Sequence, residues 1–475
     1  MADEAVTVRN IDWRELFPFT HLFRAFRVAV HPSKLIIALV ALACLWIGGL
    51  VLDGIWPTSH RVTAEERAEL YAPRRGADTV NQEMIRRLRA VTDDMRLGAP
   101  GAPADQPPAH PGIFRTFFNF EVAQAHHVLM FPWSFISPFE AVWRFVADGP
   151  LWLWRHHWIF ALLYTAWFLL IWSVFGGAIA RIAAVHVARD EKISVRHAMG
   201  FSAGKVLSFV FAPVIPIFIV LVIGLIIAVP SWILFHIPLF GPPIAGVTTG
   251  LALLGGFIIT LVLLGTIGGF NLMYPTVAVE GSDSFDAISR SFSYVFARPW
   301  RMLWYTLVAV VYGAICYLFV RFFVWMVLVA TYFFMSWWLG TPHTPPTGAN
   351  AADVFARIWQ HPDDPLDSLR PNPDYASLNG SQAAAAGMIQ FWVYLTIGLI
   401  GAFAISFYFS ANTIIYYLMR REVDATDLDD VYVEETDDDL EAGDGAADVT
   451  VAAAAIAVAD EVPAPESPSE PPAGT

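Results

Sequence analysis

Apolar and polar positions alternate in long blocks along this chain, and the blocks set its architecture. Six stretches, 35–56, 158–180, 207–229, 247–273, 303–337 and 386–418, are almost continuously apolar. A hydrocarbon core of about 30 Å takes roughly 20 helical residues to cross, so each stretch predicts a membrane span. The expected fold is an all-α membrane protein with about six transmembrane helices. Span one is the shortest continuous run, with Asp53 near its end, and span five is too long for one perpendicular crossing and carries Arg321 midway. Tilt or kinking of span five is expected.

Between the spans the pattern changes period. Segments 1–34, 181–206 and 280–302 mix charge with apolar residues at helical spacing, as in Phe285, Ile288, Phe292, Val295 and Phe296 behind Asp283 and Asp286, which suit a helix start. Each such segment leads into an odd-numbered span through a turn with a cation in fourth place: His31-Pro32-Ser33-Lys34, Ser202-Ala203-Gly204-Lys205 and Arg298-Pro299-Trp300-Arg301. Those cations are expected to snorkel to headgroups. The order reads as three diverged units, each an amphipathic interfacial helix followed by two spans.

Basic residues assign the sides. Arg24, Arg27 and Lys34 precede span one; Arg181, Arg189, Lys192, Arg196 and Lys205 lie between spans two and three; Arg290, Arg298 and Arg301 precede span five; Arg420 and Arg421 follow span six. Positive charge marks cytoplasmic loops, which places both termini in the cytoplasm. Asp3, Glu4, Asp12 and Glu15 ahead of the first apolar run argue against a cleaved leader, so span one reads as a retained anchor. Segment 57–157 then lies outside as a charged helical part (Thr63 to Leu97), a Pro-rich linker (Gly98 to Gly112) and an aromatic interfacial part from Ile113, broken by Pro132, Pro138 and Pro150. Loop 339–385 is expected to carry little structure of its own.

Composition agrees with lipid as the solvent: 56% of residues are hydrophobic and 15% charged. The net charge of -14 belongs to one end, because residues 422–475 hold 17 Asp and Glu and no Lys or Arg, leaving 26 acidic against 29 basic residues elsewhere. That tail reads as disordered. It is either a solvated segment or a docking site for a basic cytoplasmic protein. Cys44 and Cys316 fall in apolar runs and build no disulfide or zinc framework.

Candidate chemistry is sparse. Gly200-Phe201-Ser202-Ala203-Gly204 matches a hydrolase nucleophile elbow, but no strand precedes it, so the match reads as chance. His126-His127 and His156-His157 lack the spacing that puts metal ligands on one helix face. Arg321 is the intramembrane charge, by default a functional candidate, although tilt or a carbonyl partner accounts for it better. Asp and Glu are absent at depth, which weighs against an ion-coupled transporter. Pro213 and Pro216, with Gly246, Gly250, Gly255, Gly256, Gly265, Gly268 and Gly269 in or beside span four, fit either close packing or a discontinuous substrate-binding helix.

The stretch Glu280-Gly281-Ser282-Asp283-Ser284-Phe285-Asp286-Ala287-Ile288-Ser289-Arg290-Ser291-Phe292-Ser293-Tyr294-Val295-Phe296-Ala297-Arg298-Pro299-Trp300-Arg301 resembles the lead-in helix of the membrane region attached to some bacterial glycerophosphodiester phosphodiesterases and found alone in other inner-membrane proteins. Glu280, Ala287, Arg290 and Ser291 stand where that pattern places them. The resemblance covers spans two to six and implies an architecture without the catalytic domain. The expected function is therefore non-enzymatic, organising lipids or partner proteins, with neither cofactor nor nucleic acid. The alternative is a transporter or channel-like protein for a small or lipid-like substrate through spans three to five.

Overall fold

A computed structural model describes residues 17–57, 60–72, 111–130, 137–343, 346, 348–362, 365, 369–373 and 375–432. The N-terminal 16 residues, most of the charged part and linker of segment 57–157, and the acidic tail from residue 433 onward lie outside the described residues. The chain divides into two compact units at Asp430, and all the helices below belong to the first.

Among the described residues six helices are long and apolar enough to cross a membrane and no strand occurs. Each span keeps its backbone hydrogen bonds within itself, the condition lipid imposes. A 3-10 turn, Pro18–Phe23, and helix α1 (Arg24–Ala29) lead into span one, α2 (Pro32–Ile55). Helix α3 (Ala64–Tyr71) opens with a capping box between Thr63 and Glu66, and α4 (Ile113–Leu129) follows. Span two is one long helical path, Phe139–Arg189. It is built from α5 (Pro138–Trp143), a π-turn at Arg144–Asp148, α6 (Gly149–Ile171), a second π-turn at Trp172–Gly176 and α7 (Gly177–Arg189). Helix α8 (Val195–Gly204), capped by Ser194, leads into span three, α9 (Val206–His236), and α10 (Gly241–Glu280) is span four. Helix α11 (Ser284–Ala297), capped by Asp283, leads into span five, α12 (Pro299–Ser336). A short helix, α13 (Ala351–Ile358), precedes span six, α14 (Gly380–Asp424). A short helix ahead of each odd span thus recurs three times.

Four expectations need correction. The aromatic part of segment 57–157 is not broken at Pro138 or Pro150: helix runs from Pro138 into the apolar run 158–180 of span two. Each occupies a first helical turn, where a missing N–H costs nothing, and Pro150 follows a π-turn where the ladder is already shifted; a real kink sits at His157 (φ -138°, ψ 54°). Loop 339–385 is ordered where described: Ile358, Trp359 and Leu369 pack with Tyr317, Val324 and Leu328 of span five and Ala386 and Val393 of span six. Fully buried Asp353 accepts from the His343 backbone N–H at 2.6 Å and lies 2.8 Å from its ring Nδ1. The third correction concerns α11, which does not lie alone at an interface. Its Ile288 joins Met273 and Val277 of α10 and Phe209 of α9, and its later residues fold back along α10. A Cβ on Gly265 would come within 2.8 Å of Phe292, and one on Gly268 within 2.7 Å of Val295. Those two glycines, with Gly269 against Ser291, are the seat of α11, whereas Gly246, Gly250 and Gly256 face nothing within 4 Å. Finally, Lys34 does not reach outward: its side chain is fully buried.

Two cores result. At one end Ile37 and Ala38 of α2, the alanines of α7, Ala198, Ala278, Ala402 and Phe409 close-pack, and every residue of α7 from Gly177 to His186 is buried. At the other end an aromatic cap of Phe114, Phe120, Trp152, Phe160 and Tyr164 covers the end of α2. There Asp53 accepts from the backbone N–H of Phe114 (2.8 Å) and Arg115 (3.2 Å), capping α4. The cap residue of α4 itself, Gly112, has no side chain to offer, and a Cβ there would sit 2.1 Å from Asp53 Oδ2.

Candidate functional site

The densest charged cluster forms where α10 ends. Glu280 is its last residue, and Gly281 turns the chain in the left-handed region at φ 63°. The last carbonyls of a helix lack partners inside it. Here the Ala278 carbonyl accepts from Arg181 Nη1 at 2.8 Å, a cation placed at the negative end of the helix dipole. The same guanidinium lies 4.3 Å above the Phe201 ring.

Span six supplies the other half. Tyr416 Oη donates to Glu280 Oε1 at 2.8 Å, and Arg420 Nε lies 2.9 Å from the same oxygen. Arg420 also donates to Asp430 through Nη1 (backbone oxygen, 2.7 Å) and Nη2 (carboxylate, 2.6 Å). Arg290 of α11 donates from Nε to both Asp286 oxygens at 3.0 Å and lies 3.9 Å from Glu280. Partial burial works against the Arg290 charge, but the Asp286 hydrogen bonds and Glu280 outweigh it and hold the guanidinium above its ordinary value. Tyr294 of α11 donates to Asp424, and burial together with that carboxylate raises its phenol well above the usual range. Arg301 pairs with Glu422, which also accepts from Tyr305 Oη at 2.5 Å.

The cluster therefore unites three residues expected from sequence, Glu280, Arg290 and Arg301, with partners that sequence reasoning missed: Tyr294, Tyr416, Arg420, Glu422, Asp424, Asp430 and Arg181. From sequence, Arg181 and Arg420 speak to topology alone, and Glu422, Asp424 and Asp430 belong to the tail. That boundary is wrong: α14 runs to Asp424, and Glu422 and Asp424 are ion-paired or hydrogen-bonded. The signal available was their position within one turn of Arg420 and Arg421, still in helical register with the apolar run. Ala287 and Ser291, the small residues of the resemblance, are fully buried, and Ser291 touches Gly269.

The remaining candidates lie apart. Pro213 and Pro216 are buried inside an unbroken α9, beside Phe209 and Ala212. Arg321 sits 20 residues beyond Arg301 on α12, roughly 30 Å away at 1.5 Å per residue. It is 8% exposed, and its Nε donates to the Pro365 carbonyl at 2.7 Å. Ser202 is fully buried and donates to the Ser173 carbonyl at 2.6 Å, tying α8 to span two. His126 Nδ1 lies 3.2 Å from Tyr317 Oη, and burial, with Arg321 and His127 adding to it, pushes that imidazole down to about 4. His156 Nε2 lies 3.1 Å from Glu69. Among the described residues no group of three or more His, Cys, Asp or Glu is arranged to hold a metal ion.

Chemically, the cluster at Glu280 is a clasp. Its guanidiniums and carboxylates come from α10, α11, α12 and α14 and are directed at one another. Glu280 and Arg420 are 15% and 8% exposed at their side chains, against 56% for Arg301. Removing one partner of a buried pair costs about 3–5 kcal/mol, whereas exposed pairs contribute about 0–1, so the Glu280–Arg420 contact dominates. Comparison with protein-family models, curated proteins and solved structures finds no match for this chain.

Proposed function

We propose that this chain is a non-enzymatic multi-pass protein of the bacterial inner membrane that organises lipids or partner proteins, with both termini in the cytoplasm. One observation carries the reading. Beyond Pro216, α9 and α10 form a two-helix arm in which no residue of 217–236 or 246–264 is buried. Only 6% of the most apolar stretch of α10 is buried, against 33% in span five. The two helices pack on each other, Ile227 against Gly255, and present Leu251, Leu254, Phe257 and Leu261 to their surroundings. Apolar surface of that extent is stable only against lipid or another apolar protein face. The clasp supports the same reading, since mutually paired charges brace helices and leave no group poised for turnover.

The orientation rests on the basic residues, which gather at the clasp end. The architecture supports kinship with the membrane region of the phosphodiesterases that the Glu280–Arg301 stretch resembles. The acidic tail serves in this reading as a docking segment for a basic cytoplasmic protein. A transporter through spans three to five would draw on Pro213 and Pro216 as helix breaks; their place in a continuous helix favours the scaffold instead.

Photo-crosslinkers placed at Leu254 and Phe257 in intact membranes test this. Adducts with lipid or with a discrete protein are expected. Saturable solute flux in reconstituted vesicles that Pro213→Ala abolishes would replace the scaffold with a transporter.

A further inference from the structure

The first turn of span one encloses a cation that no described residue neutralises. Lys34 is 0% exposed, and its Nζ has no hydrogen-bond partner among the described residues. His31 Nδ1, three residues earlier, is likewise buried without a partner. The helix that begins there has 24 residues, His31 at its N-cap without a side-chain hydrogen bond to the first turn, and Pro32 next. Its positive dipole end therefore adds to the ammonium charge, although the Lys34 and Leu35 N–H groups already donate to the His31 carbonyl. A buried ammonium is costly without a counter-charge, and here the helix raises that cost.

The surroundings deepen the imbalance. From α7, the His186 ring meets the His31 ring edge-on at 6.0 Å between centroids, with Lys34, Asp190, His31 and Arg27 as the charged or titratable groups acting on His186. Lys192 acts on His31 from the following loop. Asp190 is the sole carboxylate among these groups. It is 69% exposed and already shared between Arg27 (3.9 Å) and His186 (3.6 Å). Burial, then Lys34 and Lys192, hold the His31 imidazole below its ordinary value. The other two lead-in turns differ: Lys205 is half-buried and Arg301 is exposed on Glu422.

We propose that His31, Lys34 and the first turn of α2 form a binding site for the phosphoryl group of an anionic phospholipid, with Arg27, His186 and Lys192 around it. Lys34 supplies the charge, the helix terminus supplies its positive dipole and the Ser33 N–H, and the start of a membrane span places them at headgroup depth. Half-buried His31, between exposed Val30 and Pro32, is the side chain whose rotation admits the headgroup oxygens. The physiological meaning rests on the lipid-organising reading above, but the site does not. Failed crosslinking from the arm leaves headgroup binding intact, and failed headgroup binding leaves the scaffold standing.

The test uses the full chain in detergent with phosphatidylglycerol, diacylglycerol and inorganic phosphate as separate probes, read by native mass spectrometry and by the thermal unfolding midpoint. Wild type should retain phosphatidylglycerol at least about tenfold more strongly than Lys34→Met, the effect of one lost charge-assisted hydrogen bond. Lys205→Met should bind like wild type. Lys34→Met should unfold no lower than wild type in lipid-free detergent, because it removes an uncompensated buried charge. Equal retention of phosphatidylglycerol by wild type and Lys34→Met overturns the site. Equal retention of phosphatidylglycerol and diacylglycerol by wild type does so without any variant. A midpoint shift by phosphate alone that matches the lipid's keeps the anion site and overturns the headgroup as its occupant.

Discussion

Two buried polar clusters, one around Glu280 and one around Glu121, meet the cost of desolvation by opposite means. At the clasp end, Glu280, Arg290, Arg420 and Glu422 lie within reach of opposite charges on other helices, so desolvation is offset by pairing. At the aromatic end, Glu121 and Gln124 of α4 each hold a buried side-chain oxygen with no partner among the described residues. Glu121 Oε1 lies so close to α6 that a Cβ on Gly149 would be 1.8 Å from it, and burial pushes its carboxyl up to about 9. Charge around Glu280 is a source of cohesion; at Glu121 it is a burden that protonation relieves.

Breaking the clasp should have the largest effect. Arg420→Ala leaves Glu280 only the Tyr416 hydroxyl and Arg290 at 3.9 Å and should destabilise by about 3 kcal/mol, read as a lower unfolding midpoint in detergent. Deletion of 422–475 should lower the midpoint too, by removing Glu422, Asp424 and Asp430, whereas deletion of 433–475 should leave it unchanged. Equal behaviour of the two deletions would refute the clasp.

Glu121→Gln sharpens the contrast from the other side. The carboxyl titrates higher in the folded chain, about 9, than its ordinary 4.5, so between those values the native state holds more protons than the unfolded one. Stability then falls as pH rises through that window. The glutamine variant should lack this fall, unfolding about 1–2 kcal/mol less readily than wild type at pH 8, after allowance for partial solvent screening, and no differently below about pH 4.5. A variant that tracks wild type across the range would show the carboxyl to be solvated. Asp53→Ala comes next: loss of the cap on α4 should cost about 1 kcal/mol and speed amide exchange at Phe114 and Arg115. Arg301→Ala, at an exposed pair, should cost under about 1 kcal/mol; a loss as large as that of Arg420→Ala would mean that exposure does not rank these contacts.

The spans and the helix ahead of each odd one were legible because both follow from periodicity and run length, which are local. The clasp was legible only in part. Glu280 and Arg290 lie ten residues apart around one turn, but Tyr416 is 136 positions from Glu280 and Asp424 is 130 from Tyr294, and no spacing rule connects them. Lys34 escapes sequence for the converse reason: its setting is that of any interfacial lysine, and its complete burial is a tertiary property. The loop around Asp353 looked unstructured because Pro and Asp dominate it, although its buried side chains are few and each is well partnered.

The small-residue run of α7 carries a mechanical implication. Adding one methyl at Gly176 would bring it within 2.6 Å of Phe409, and one at Gly177 within 2.2 Å of Ser202 Oγ, so this stretch has no slack in which to slide or roll. It behaves as a fixed axle. The helices seated on it, α8 through Ser202 and span six through Phe409, are therefore locked to span two in a single register.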